Sequence, residues 1–198
     1  MRFRWDTGEV TPTFVPEGPI DYIGRIKWTE EEGGKDYLSC TRKEVFSTIQ
    51  WYVCLGHSNG LFQLDLAQHY KSIIYPDIVA IQYSDASGSE LRARLEERIK
   101  NRIRASHSQF KHRETLICRH GSALSKFGRT QYKKEINLAA FYGFLSNNRK
   151  EGLRFCLEGI GLDPISLQLW YLLLAGSLIG RNAIVFGYYV RNLLGIRI

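Results

Sequence analysis

The sequence predicts an α+β chain. Short strands and helices mix through about residue 90, a basic helical connector covers 91–130, and only helices follow over 131–198. Three observations lead there. Turn formers crowd the opening stretch, with Pro12, Pro16, Pro19 and the pair Gly33-Gly34. Ile78–Tyr83 reads Ile-Val-Ala-Ile-Gln-Tyr, a strand composition. From Tyr132 onward the apolar residues recur at the helical period.

In chain order, Tyr22–Trp28 reads as a short strand between loops, and Tyr37-Leu38-Ser39-Cys40 as a second strand-like run. Arg42–Ile49 reads as a short helix, with Thr41 as N-cap and Glu44 three residues on. Leu61–Tyr70 is a clearer helix, because Leu61, Leu64, Leu66 and Ala67 fall mostly on one face. Ile73-Ile74-Tyr75 and Ile78–Tyr83 then form a strand pair broken by Pro76-Asp77. Ser87 and Glu90 make a capping box at the head of a long basic helix, whose face is traced by Leu91, Leu95, Ile99 and Ile103. Glu90/Arg94 and Glu96/Lys100 support it as i,i+4 pairs. Tyr132, Ile136, Ala139, Ala140, Gly143 and Phe144 form the next stripe. A helix over Lys150–Ile160 ends at Asp163-Pro164, a third starts near Ser166, and Ala183–Leu194 closes the chain.

Charge is unevenly placed. The formal net charge is +7, yet residues 1–90 hold 8 Lys/Arg against 13 Asp/Glu, and residues 91–134 hold 13 against 3. The basicity is therefore one local patch, which suits an anionic neighbour. Cys40, Cys54, Cys118 and Cys156 form no CxxC pair and no zinc spacing with the histidines, so they read as reduced, mostly buried thiols. Met-Arg-Phe-Arg-Trp-Asp opens without an apolar h-region, so the expected location is cytoplasmic, with peripheral membrane contact. Leu169–Gly180 is the longest apolar stretch, 12 residues, too short to span a bilayer and suited to a buried or interfacial helix.

Roughly residues 20–90 carry a resemblance, whose motifs begin at residue 36. A strand-like run leads to Cys40-Thr41-Arg42-Lys43-Glu44-Val45-Phe46, then an irregular stretch, then Gly60-Leu61-Phe62-Gln63-Leu64-Asp65-Leu66-Ala67-Gln68-His69-Tyr70-Lys71. A strand pair follows, then Asp85-Ala86-Ser87-Gly88-Ser89. This order resembles the acceptor-side part of the inverting family-2 glycosyltransferases, which have the GT-A fold. The resemblance implies a partial GT-A-like segment over residues 1–90, followed by a helical tail, and transfer of a sugar from a nucleotide-sugar donor to an acceptor hydroxyl. It implies that Arg42 and Lys43 bind the acceptor. The family's Glu-Asp pair, whose Asp is the general base, aligns with Ser58 and Asn59. An amide cannot take up a proton at neutral pH, so the base is missing there. His57 is the nearby alternative base; a lone loop histidine is commonly just solvated. Asp65 lies about one and a half turns into the helix and is expected to face elsewhere.

The family also holds a divalent metal, Mn or Mg, on an Asp-x-Asp motif in its donor-binding half. No two of the seven Asp here are separated by a single residue, and no Gly-rich loop opens a helix after a strand. The resemblance thus implies a fragment or degenerate copy without the donor half, inactive in isolation, with the metal expected only alongside that half. Expected partners are a separate donor-binding half or a second copy, and an anionic membrane surface facing the basic region. Nucleic acid is disfavoured, because the arginines surround more than half of their helix and no nucleic-acid motif accompanies them. The alternative is a non-catalytic helical interaction module working through the tail. Trp170, Tyr171, Phe186, Tyr188 and Tyr189 read as core.

Overall fold

The computed structural model describes residues 2–4, 10–11, 14–32, 41–47, 49, 59–74, 80–82 and 95–193, with side chains described over 14–32, 41–47, 49, 60–74 and 100–187. Its elements are α1 (Tyr22–Glu31), a 3-10 turn (Lys43–Ser47), α2 (Asn59–His69), α3 (Leu95–Arg104), α4 (Ser106–Phe127), α5 (Arg129–Leu145), α6 (Arg149–Leu162), α7 (Leu167–Leu178) and α8 (Arg181–Leu193).

The chain is helical, which overturns the expected α+β class and its partial GT-A-like segment. Among the described residues, β structure is limited to β1 (Arg2–Arg4), β2 (Val10–Thr11) and β3 (Ala80–Gln82), in the order β2-β1-β3. β1 pairs antiparallel with β2 and parallel with β3. Strands of two and three residues cannot form the sheet layer on which an α/β domain is built.

The reading of Tyr22–Trp28 as a strand is also corrected: this segment is the body of α1. Asp21 stands in an extended conformation and its carboxylate accepts the Gly24 N–H at 2.8 Å, an N-cap that starts a helix. Ile26 and Trp28 are then buried, so capping and burial outweighed the β preference of the aromatic and branched residues. Ile73 and Ile74 are not in a strand; Ser72 makes only an isolated bridge to Ile20. The expected single basic helix is two, α3 and α4, separated by a turn at Ala105. Tyr37–Cys40 and Ser87–Glu90 lie outside the described residues. The last four helices fall close to where the apolar period places them.

Two compact units divide the chain. The first comprises Met1–Val53, Ser58–Arg92 and His120–Gln131; the second comprises Cys54–His57, Ala93–Arg119 and Tyr132–Ile198. The first unit buries Ile26, Trp28, Leu61, Phe62, Leu64, Ala67 and Leu124. Phe46 of the 3-10 turn stacks on Phe62 of α2, with centroids 5.6 Å apart and planes 6° from parallel. Trp28 Nε1 donates to the Phe14 carbonyl at 2.9 Å. Glu30 accepts the Thr130 and Gln131 N–H groups at 2.6 and 2.9 Å, so a carboxylate of α1 caps the first turn of α5. Burial alone would raise the Glu30 pKa; those hydrogen bonds from Thr130 and Gln131 bring it below the ordinary carboxylate value.

The second unit buries Phe110, Ile136, Ala139, Ala140, Phe144, Phe155, Cys156, Leu169, Leu172 and Ile184 around one core. Phe110 and Phe155 meet edge to face, 6.2 Å apart. Glycines bring the helices together. A Cβ on Gly176 would fall 2.8 Å from the Phe144 ring, so α7 packs with its backbone against that ring. The tight turn between α5 and α6 places Asn147 at φ 66°, a left-handed conformation that Asn tolerates.

Candidate functional site

In the first unit, three helices converge on one polar chain. Asp65 of α2 accepts from His120 Nε2 at 2.9 Å, and the Tyr22 hydroxyl of α1 lies 2.9 Å from His120 Nδ1. His120 and Asp65 are buried. A carboxylate needs a donor, so the proton belongs on Nε2, and Nδ1 then accepts the Tyr22 O–H. Burial raises the Tyr22 pKa, and the Asp65 charge adds to the rise, while a hydrogen bond from Gln68 opposes both. The phenol therefore stays protonated at neutral pH, which suits a structural relay better than a nucleophile. Asp65, expected to face away, is one of its anchors; the sequence marks neither His120 nor Tyr22 as a site residue.

In the second unit, α7 is apolar on both faces. Leu169, Leu172 and Gly176 point into the core. On the other side Leu167, Leu174 and Leu178 are 83%, 59% and 78% exposed, with half-exposed Trp170 and Tyr171 between them; Phe186 of α8 is exposed as well. The reading of Trp170, Tyr171 and Phe186 as core residues is corrected by this exposure; the side chains of Tyr188 and Tyr189 lie outside the described residues. The polar tips of the two ring systems are tied to the chain itself. Trp170 Nε1 donates to the Pro164 carbonyl at 2.8 Å, and the Tyr171 hydroxyl donates to the Ala183 carbonyl at 2.6 Å. Both rings are thereby fixed with apolar area outward.

Cations mark one end of this face. Gly180 takes φ 84° in the turn between α7 and α8, and the Arg149 guanidinium fills the space a side chain there would need. Arg149 Nη2 lies 3.5 Å from the Ile179 carbonyl. Lys150, next to Arg149 on α6, and Arg181, the first residue of α8, are exposed. Among the described residues, four of the unit's carboxylates are engaged inside it: Glu135 with Arg113 at 2.6 Å, Glu151 with Arg154 at 2.8 Å, Glu158 with the Tyr132 hydroxyl at 2.6 Å and Asp163 with Lys133 at 3.9 Å. Burial, with the Glu158 hydrogen bond and charge, pushes the Tyr132 phenol up to about 12. His112 is buried in the same unit, and burial together with the Arg113 charge lowers its pKa to about 4.

The residues implied by the resemblance fare differently. Arg42 and Lys43 are exposed at the head of the 3-10 turn. Asn59 is the first residue of α2, while its side chain, Ser58 and His57 lie outside the described residues. Of the four thiols, Cys156 is buried and donates to the Leu169 carbonyl at 3.0 Å, its pKa pushed by burial to about 11. Cys118 is exposed, and Cys40 and Cys54 lie outside the described residues. Among the described residues, no three His, Cys, Asp or Glu side chains come together where they could hold a metal ion, and no helix is long and apolar enough to cross a membrane. No protein-family model, curated protein or solved structure matches the chain.

Proposed function

We propose that the chain is a helical docking module, one that accompanies sugar-transfer machinery rather than performing the transfer. The observation that carries the docking reading is the outward face of α7, where Leu167, Leu174 and Leu178 stand exposed on a helix with no charged residue between 167 and 178. An apolar face of that kind on a folded unit favours association.

The sugar-transfer setting is supported by the linear order of residues 40–89 and by the start of α2 at Asn59. An amide at the head of that helix supplies no general base, which agrees with a part that does not itself catalyse. Titration with uridine, guanosine and thymidine diphosphate sugars in the presence of manganese is expected to give no binding; micromolar affinity for any of them would overturn the non-catalytic reading. The setting is tested in a chimera carrying a donor-binding half. Restoring carboxylates by Ser58→Glu and Asn59→Asp is expected to raise transfer by about 10²–10⁴. Equal rates with and without the carboxylates would remove the sugar-transfer setting and leave the docking reading in place.

A further inference from the structure

We infer that the occupant of the α7 face is an anionic lipid surface, on which α7 lies in the plane of the headgroups. The inference rests on the docking reading and is independent of the sugar-transfer setting. Charge complementarity decides between occupants. The second unit holds 16 Lys/Arg against 7 Asp/Glu. Glu135, Glu151, Glu158 and Asp163 are already engaged within the unit. A second copy would carry the same positive excess and be repelled by it. An anionic bilayer offers the opposite charge together with an apolar layer beneath it, and an apolar face edged by Lys and Arg is the pattern of a helix lying at that boundary.

Geometry agrees. With 12 residues, α7 is about 18 Å long, well short of a hydrocarbon core of about 30 Å, so it lies on the bilayer rather than through it. Trp170 and Tyr171 occupy the middle of the exposed face, and such rings favour the headgroup level. At the end of the helix Leu178 and Ile179 are strongly exposed; Gly180, where the Arg149 guanidinium sits, and Arg181 follow. Hydrophobic insertion and phosphate contact thus fall on one short stretch of surface.

The test is sedimentation with vesicles of phosphatidylcholine alone and of phosphatidylcholine with about 30% phosphatidylglycerol, a content at which surface charge governs polybasic binding. The full chain is expected to sediment with the mixed vesicles and not with the neutral ones, and to be released at high salt. With Trp5, Trp28 and Trp51 replaced by Phe, Trp170 fluorescence should shift to the blue on binding. Leu174→Asp with Leu178→Asp, and separately Lys150→Glu with Arg181→Glu, should each lower partitioning by about tenfold or more while far-ultraviolet circular dichroism stays unchanged. Binding to neutral vesicles as strong as to anionic ones overturns the inference, as does failure of the wild type to sediment. If light scattering instead finds a dimer that the Leu174→Asp, Leu178→Asp variant dissociates, the lipid inference falls and the docking reading stands. If these substitutions alter neither lipid binding nor association, both fall.

Discussion

Gly143 and Gly152 meet backbone to backbone, so close that a Cβ on Gly143 would fall 2.7 Å from the Gly152 Cα. Neither atom can swing aside, since both belong to helix backbones in the core of the second unit. Gly143→Ala is therefore expected to cost about 1–3 kcal/mol by overpacking. Gly161, in the last turn of α6, has nothing within 4 Å of its would-be Cβ. Gly161→Ala should leave stability unchanged or raise it by up to about 1 kcal/mol. Urea unfolding of the two variants checks the contrast.

The Asp65–His120–Tyr22 chain gives a graded series. Tyr22→Phe removes one neutral donor and should cost about 1 kcal/mol. His120→Ala removes the ring to which both other groups bond and also opens a cavity, for a cost of about 3–5 kcal/mol. A double-mutant cycle between positions 22 and 65 should show coupling, because Asp65 influences the Tyr22 hydroxyl through the ring between them. Additive losses would mean that the chain is three separate contacts.

His112 sets an acid limb on stability. Its folded pKa, about 4, lies below the ordinary 6.5, so as pH falls the unfolded chain binds the proton first. Stability from this group is complete above about pH 6.5 and is lost as pH falls toward 4, by about 3 kcal/mol in all. His112→Leu should flatten that part of the curve relative to the wild type. Equal slopes between pH 6.5 and 4 in the two proteins would show that His112 is not held neutral.

Thiol reactivity should separate Cys118 from Cys156. In a Cys40→Ser, Cys54→Ser background, an aromatic disulfide reagent is expected to titrate one thiol at pH 8 under native conditions and two after denaturation. Burial protects Cys156 and keeps it protonated, while Cys118 is exposed on α4. Two fast thiols in the native protein would place Cys156 nearer to solvent than its contact with Leu169 allows.

Much of the helical tail was legible because its signals are local. The Asp163-Pro164 break ends α6 and the start near Ser166 opens α7, and the stripe from Tyr132 to Phe144 marks the buried side of α5. The difference at α1 is also local: Ile23, Ile26 and Trp28 have strand composition, and the Asp21 cap decides for a helix. The polar relay was not legible at all. Its bonds join residues 55 and 98 positions apart, and no periodicity reports such a meeting. The exposure of α7 was hidden for another reason, since a helix with apolar residues on both faces reads the same whether one face or both are covered.

The first unit draws its residues from three separated stretches, and the last of them begins at His120. During synthesis α1 and α2 are complete long before the imidazole that joins them has been made. Closure of this unit is then a late event, delayed by the entropy of bringing distant parts of the chain together. Cutting the chain at one point does not release either unit whole, because Ala93–Arg119 interrupts the first and His120–Gln131 interrupts the second. The two have to be made, and have to mature, as one length of polypeptide.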